Sequence, residues 1–192
     1  MLLEFKIQLS DISKPAVWRR VKLPANRSFY DFHILIQEAF GWQHAHLFRF
    51  ESSDDNTQMI IEPAANLMDA SPGDFWYDAE EIALAEVFEK EGDKLNYLYD
   101  FGDGWLHTIK LEKIINSESD APVLVDGKGA CPPEDCGGPW AYEDFKEKLS
   151  IPDHPDADEL REWMGMEEGE VWDANNFDLD EARIRIASLG EE

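Results

Sequence analysis

The chain has 192 residues, 17 Lys and Arg against 42 Asp and Glu, and a formal net charge of −25. With 43% hydrophobic and 12% aromatic residues it carries too much apolar material for an acidic disordered protein, and enough length to bury a core. No apolar run approaches the roughly 20 residues of a membrane helix. The opening Met1-Leu2-Leu3-Glu4-Phe5-Lys6 breaks the apolar stretch a signal peptide needs, so a cytoplasmic protein with no membrane partner is expected. Two cysteines do not make a disulfide framework.

Charge is uneven: net +3 over residues 1–50, −12 over 51–100, −5 over 101–150 and −11 over 151–192. Charge-driven nucleic-acid binding needs a basic footprint, so it is not expected. Arg19-Arg20-Val21-Lys22, with Arg27, is the one candidate phosphate contact; it reads otherwise as a solvated strand face.

In chain order, Leu3, Phe5, Ile7 and Leu9 alternate with polar residues and predict a half-buried strand. Val17, Arg19, Val21 and Leu23 predict its hairpin partner. Ser28 and Asp31 form a capping-box pattern, and Phe32, Leu35, Ile36, Ala39 and Phe40 follow at helical spacing up to Gly41. Residues 47–50 and 59–62 read as strands, 51–58 and 63–78 as loops, and 81–88 as a short helix. Leu95, Tyr97 and Tyr99, then Trp105, His107, Ile109 and Leu111, predict a second hairpin. A five-residue loop would set Tyr99 opposite Trp105 and Tyr97 opposite His107. Residues 116–139 read as a long loop with a short strand at 122–125. Helices are expected at 142–149, 156–164 and after Asp178. The sum is an α+β fold in one domain over 1–192. Its N-terminal half is β-grasp-like, and a helical tail, 141–192, packs on it.

Two segments concentrate chemistry: residues 97–107 and Cys131-Pro132-Pro133-Glu134-Asp135-Cys136-Gly137-Gly138-Pro139-Trp140. If they pack together, Tyr97, Tyr99, Phe101, Trp105 and Trp140 would rim an acidic pocket with Asp103, His107 and Glu134 as its polar groups. The alternative for Tyr97 and Trp105 is an ordinary aromatic core. Asp100, Asp103, His107 and Glu134, with Asp135 beside them, are the catalytic candidates for a carboxylate–His cluster holding Mg²⁺ or Mn²⁺. Against this, Asp100 and Asp103 flank glycines, where such side chains cap turns. Cys131 and Cys136 have zinc-ligand spacing, with His107 and His46 to complete a set; free thiols or a disulfide are the other readings. No cofactor is favoured, and zinc or another divalent metal stays open. The functional expectation is a binding module for a protein or small-molecule ligand, with a metal-dependent hydrolase as the alternative.

The chain resembles the plasmid pRiA4b ORF-3-like family, whose members are often labelled transposon passenger proteins. The resemblance rests on Pro15-Ala16-Val17-Trp18-Arg19-Arg20, Phe40-Gly41-Trp42, Tyr99-Asp100-Phe101-Gly102-Asp103-Gly104-Trp105 with His107, and residues 131–138. Trp163-Met164-Gly165 and Phe177-Asp178 extend it through nearly the whole length. It implies an α+β fold throughout and a mobile-element context, and it supplies no mechanism.

Overall fold

The structure is a computed structural model; it describes residues 1–53, 59–65, 75–117, 119–151, 154–166 and 170–189. Strands β1 (Leu2–Leu9) and β2 (Trp18–Pro24) form the expected hairpin, with Phe5 opposite Val21 and Ile7 opposite Arg19. Helix α1 (Phe29–Phe40) starts on a true capping box: Asp31 N donates to Ser28 Oγ at 3.0 Å, and Ser28 N to Asp31 Oδ2 at 3.1 Å. It stops at Gly41, whose φ of 96° is free only to glycine. Strands β3 (Phe48–Ser52), β4 (Met59–Glu62), β5 (Phe75–Asp78), β6 (Lys94–Tyr99), β7 (Trp105–Ile115) and β8 (Val123–Lys128) complete an eight-stranded sheet among the described residues. Its order is β5-β4-β3-β6-β7-β1-β2-β8. Helices α2 (Gly138–Ser150), α3 (Ala157–Trp163) and α4 (Leu179–Ser188) follow, α4 capped by Asp178 accepting from Glu181 N at 2.9 Å.

The α+β class is as the sequence predicts, with local departures. The hairpin and α1 are as expected; beyond them β3 pairs with β6, and β1 pairs antiparallel with β7. Residues 75–78, expected to be loop, form β5, parallel to β4 with Ile61 beside Tyr77. Their aromatic run, Phe75-Trp76-Tyr77, was the strand signal. The helix expected over 81–88 shrinks to a 3₁₀ turn at Leu84–Glu86. The short strand at 122–125 lengthens into β8, on the far side of β2.

The core lies between the sheet and α1. Phe5 packs on Phe32 (4.8 Å between ring centroids) and Phe88 (4.7 Å), and Phe29 on Phe50 (5.0 Å). Each such fully buried ring contributes about 1.5–3 kcal/mol of transfer free energy. The same buried cluster reaches Tyr142 and Phe145 of α2 and Ala182 and Ile186 of α4. Among the described residues no helix is long and apolar enough to cross a membrane.

Arg19 departs from both readings of the basic patch, while Arg20 and Lys22 stay on the outer strand face. Strand alternation points Arg19 inward, where it is 1% exposed and donates to the carbonyls of Trp18, Ala39, Lys128 and Gly129 at 2.8–3.1 Å. Its guanidinium lies 3.6 Å from the Phe177 ring centroid and 4.8 Å from that of Phe40. Burial pulls its pKa down to about 10, so it stays charged at neutral pH. Arg20 faces outward and pairs with Glu112 at 2.7 Å, and Lys22 pairs with Glu4 at 3.2 Å.

Candidate functional site

The β6–β7 hairpin has the five-residue loop the sequence predicts, with Tyr99 opposite Trp105 and Tyr97 opposite His107. Asp100 takes a left-handed conformation (φ 55°), and its Oδ1 accepts from Gly102 N at 2.9 Å and Asp103 N at 3.3 Å. That closes the turn and leaves Oδ2 free to face elsewhere. Asp103 reaches across to the second segment, accepting from Gly137 N at 3.0 Å. Gly138 sits so close that a Cβ there would collide with the Asp103 carbonyl. From the other side, Glu134 Oε1 accepts from Tyr99 Oη at 2.9 Å and Gln43 N at 2.7 Å. The 97–107 and 131–140 segments therefore do pack together.

Their meeting does not make an aromatic pocket. Tyr97, Tyr99 and Trp105 are fully buried in the core, while Phe101 is exposed beside Arg49. Trp140, 91% exposed, lines a different cavity of about 610 Å³, with Trp172 and Glu143. His107 is 0% exposed and packs edge-on against Phe40 at 4.9 Å. Its Nδ1 donates to the Trp105 carbonyl at 3.0 Å, and burial pulls its pKa to about 4. Alternation on β7 explains this: the register that gathers Tyr97, Trp105 and His107 on one face also buries that face. His107 is therefore a neutral core imidazole closed off from solvent, and among the described residues it belongs to no metal-ligating group.

The carboxylates instead converge on His46, in the turn between α1 and β3. Its Nε2 lies 3.3 Å from Asp135 Oδ1, 3.7 Å from Asp100 Oδ2 and 3.7 Å from Glu134 Oε2. The ligand atoms of His46, Asp100 and Asp135 lie within 4.8 Å of one another. His46 Nε2 and Glu134 Oε2 are both buried and make no hydrogen bond, and the Glu134 side chain is only 9% exposed. Three carboxylates gathered around one imidazole, two of them nearly buried, favour positive charge at their centre, which a bound cation would supply. Ligand atoms held about 2.1 Å from one ion stand about 3.0–3.4 Å apart in octahedral or tetrahedral sites; Asp135 already stands at that distance from His46, while Asp100, at 3.7 Å, would have to move closer to both. The nitrogen-plus-oxygen donor set suits Mn²⁺, Fe²⁺, Co²⁺ or Zn²⁺.

The turn is built to present His46. His44 is left-handed (φ 54°) and turns its own ring to Glu38 at 3.0 Å. Ala45 N donates to Tyr99 Oη at 3.1 Å, so one phenol ties the His46 turn to Glu134. The sequence names His46 only as the last ligand of a zinc set, and the structure separates it from the rest of that set. Among the described residues no metal-ligating group includes Cys131 or Cys136. Burial drives both thiol pKa values up, Cys136 to about 12, with Asp103 adding to the rise. A thiolate ligand is disfavoured there. The signal for His46 was its placement just after a helix-ending glycine, in a turn with no apolar alternation to bury it.

An eight-stranded mixed sheet with helices packed on it, and a His–carboxylate cluster at the tip of one hairpin, define an α+β protein with a metal-compatible centre. The chain belongs to the plasmid pRiA4b ORF-3-like protein family, which it matches over residues 1–181. It is 36% identical to the uncharacterized protein y4hQ of Sinorhizobium fredii over 189 residues, 97% of this chain and 93% of that one. It is also similar to the crystal structure of MM3350, a protein of unknown function from Methanosarcina mazei Go1. The TM-score is 0.77 and the identity 29%, covering 94% of this chain and 95% of that one.

Proposed function

We propose that the protein is a cytoplasmic binding module centred on one divalent transition-metal ion, held by His46 Nε2 and the carboxylates of Asp100, Glu134 and Asp135. The observation that carries this reading is the pair of buried atoms that make no hydrogen bond, His46 Nε2 and Glu134 Oε2, 3.7 Å apart, beside the His46–Asp100–Asp135 group. Structural zinc sites are closed and thiolate-rich, whereas this set is imidazole and carboxylate. The test is calorimetric titration of the chelator-treated protein with Mn²⁺ and Zn²⁺, with elemental analysis after dialysis. One ion per chain is expected in the wild type, with affinity falling at least tenfold in Asp100→Asn and Glu134→Gln. Failure of either metal to bind at millimolar concentration overturns the reading.

A second reading is a metal-dependent hydrolase using the same centre. It is favoured by Asp135, whose side chain is 74% exposed, so one flank of the ion would be open to a water molecule. Turnover of p-nitrophenyl esters or phosphodiesters by the Mn²⁺-loaded protein, lost in Glu134→Gln, would select it. No turnover above the metal-only blank would leave the binding module.

A further inference from the structure

On the other side of the α1–β3 turn, a cavity of about 690 Å³ opens between α1 and β3, walled by Tyr30, Ile34, Leu47, Phe48 and Pro63. That volume is within the range of small-molecule sites. His33 lines it too, and its ring lies flat on Phe48, 3.6 Å between centroids at 7°.

The protonation of His33 follows from the chain of hydrogen bonds behind it. Gln37 Oε1 accepts from His44 N at 3.0 Å, which fixes the amide and turns its NH₂ to Tyr97 Oη at 3.0 Å. The Tyr97 oxygen accepts that bond, and its own buried O–H finds an acceptor only in its other neighbour, His33 Nδ1, at 2.8 Å, which is the arrangement that satisfies every donor. Burial, with His44 adding to it, pulls the His33 pKa to about 3, so the ring is neutral and carries its single proton on Nε2. Nδ1 is taken; Nε2–H is the donor left for a ligand. Among the described lining residues the only carboxylate is Glu80, and none is Lys or Arg. An anionic ligand would find no counter-charge there, in a chain of net charge −25.

We propose that this cavity binds an uncharged molecule with a flat aromatic body and a carbonyl oxygen, the oxygen accepting from His33 Nε2–H and the ring lying among Tyr30, Phe48 and Ile34. The site stands independently of the metal reading: His46 borders both, but none of the three carboxylates of the cluster lines the cavity.

The experiment titrates the full chain, with and without diamagnetic Zn²⁺, with benzamide, benzoate and benzylamine, following the His33 Nε2 resonance by ¹⁵N NMR. Benzamide should shift that resonance saturably in both metal states, and benzoate and benzylamine should bind at least tenfold more weakly. Leu47→Trp, which fills the cavity from a largely exposed position, should abolish benzamide binding and leave the melting temperature unchanged. An unmoved resonance up to the solubility limit, equal or tighter binding of benzoate or benzylamine, or wild-type affinity in Leu47→Trp each overturns the proposal. Zn²⁺ titration on the same samples reports the metal centre separately, so either can fail alone.

Discussion

Tyr99→Phe deletes one oxygen at the junction of the two site segments. In the wild type that hydroxyl donates to Glu134 at 2.9 Å and accepts from Ala45 N at 3.1 Å. Without it the Ala45 N–H loses its acceptor, while Glu134 keeps only the Gln43 N–H on Oε1. Losing this part-buried bond costs about 0.5–1.5 kcal/mol, and for a chain of this size each kcal/mol lowers the melting temperature by about 2–4 °C. Groups that orient metal ligands are worth about 10–100-fold in affinity. At a Mn²⁺ concentration of 100 times the wild-type Kd the ion stabilises the fold by about 2.7 kcal/mol; for a Kd weakened 10–100-fold the gain falls to about 1.4–0.4 kcal/mol. The assay is urea unfolding of both proteins with and without Mn²⁺. The metal-dependent increment should shrink beyond the loss seen in the apo protein. An apo loss with an undiminished increment would refute the positioning role and leave Tyr99 a packing residue.

Gly138→Ala should push the 131–140 loop off the Asp103 carbonyl and weaken Mn²⁺ binding at least tenfold by calorimetry, since Glu134 and Asp135 ride on that loop; unchanged affinity would show the loop yields elsewhere. Arg19→Ala should cost about 3–5 kcal/mol in urea unfolding, because four carbonyl acceptors lose their donor at once; a loss below about 1 kcal/mol would contradict the described network. His33 and His107 are held neutral by burial, at about 3 and about 4 against an ordinary 6.5. Below pH 6.5 the unfolded chain takes up protons that the folded one refuses, so stability should fall as pH drops from 6.5 toward 5. The slope approaches about 1.4 kcal/mol per pH unit for each imidazole. His107→Leu should remove its share of that slope, and a flat wild-type profile from pH 7 to 5 would refute the assignment.

Local pattern carried most of the fold into view. The 3.6-residue period and capping box located α1, and alternation located β1, β2, β6 and β7, down to the pairing of Tyr97 with His107. What it could not carry was partner choice. Nothing local says that β3 pairs with β6, or that an aromatic tripeptide before Asp78 will lie parallel to β4. The site was legible by segment and not by side chain. Asp100, Glu134 and Asp135 were recognised as acidic groups that could converge, and their meeting follows from the two loops packing. Among the histidines the sequence favours His107, which sits in the louder motif. The alternation that makes the motif conspicuous also turns that ring inward, and the imidazole that lies beside the carboxylates belongs to His46, a turn residue with no periodicity.

The pairing of β1 with β7 sets a timetable for synthesis. Leu2 lies beside Ile115, so the first strand cannot find its inner neighbour until the chain has grown far beyond the first hairpin. At about 5–20 residues per second, the roughly 90 residues between the end of β2 and the end of β7 take about 5–20 s to emerge. Through that interval the nascent β1–β2 hairpin and α1 present Phe5, Phe29 and Phe32 without most of the sheet that later covers them. The rate-limiting closure is accordingly long-range, of the kind that makes sheet proteins fold in milliseconds to seconds rather than microseconds. For this chain the hazardous period is on the ribosome, and a holdase that shields the first forty residues would raise the yield of folded protein more than one acting after release.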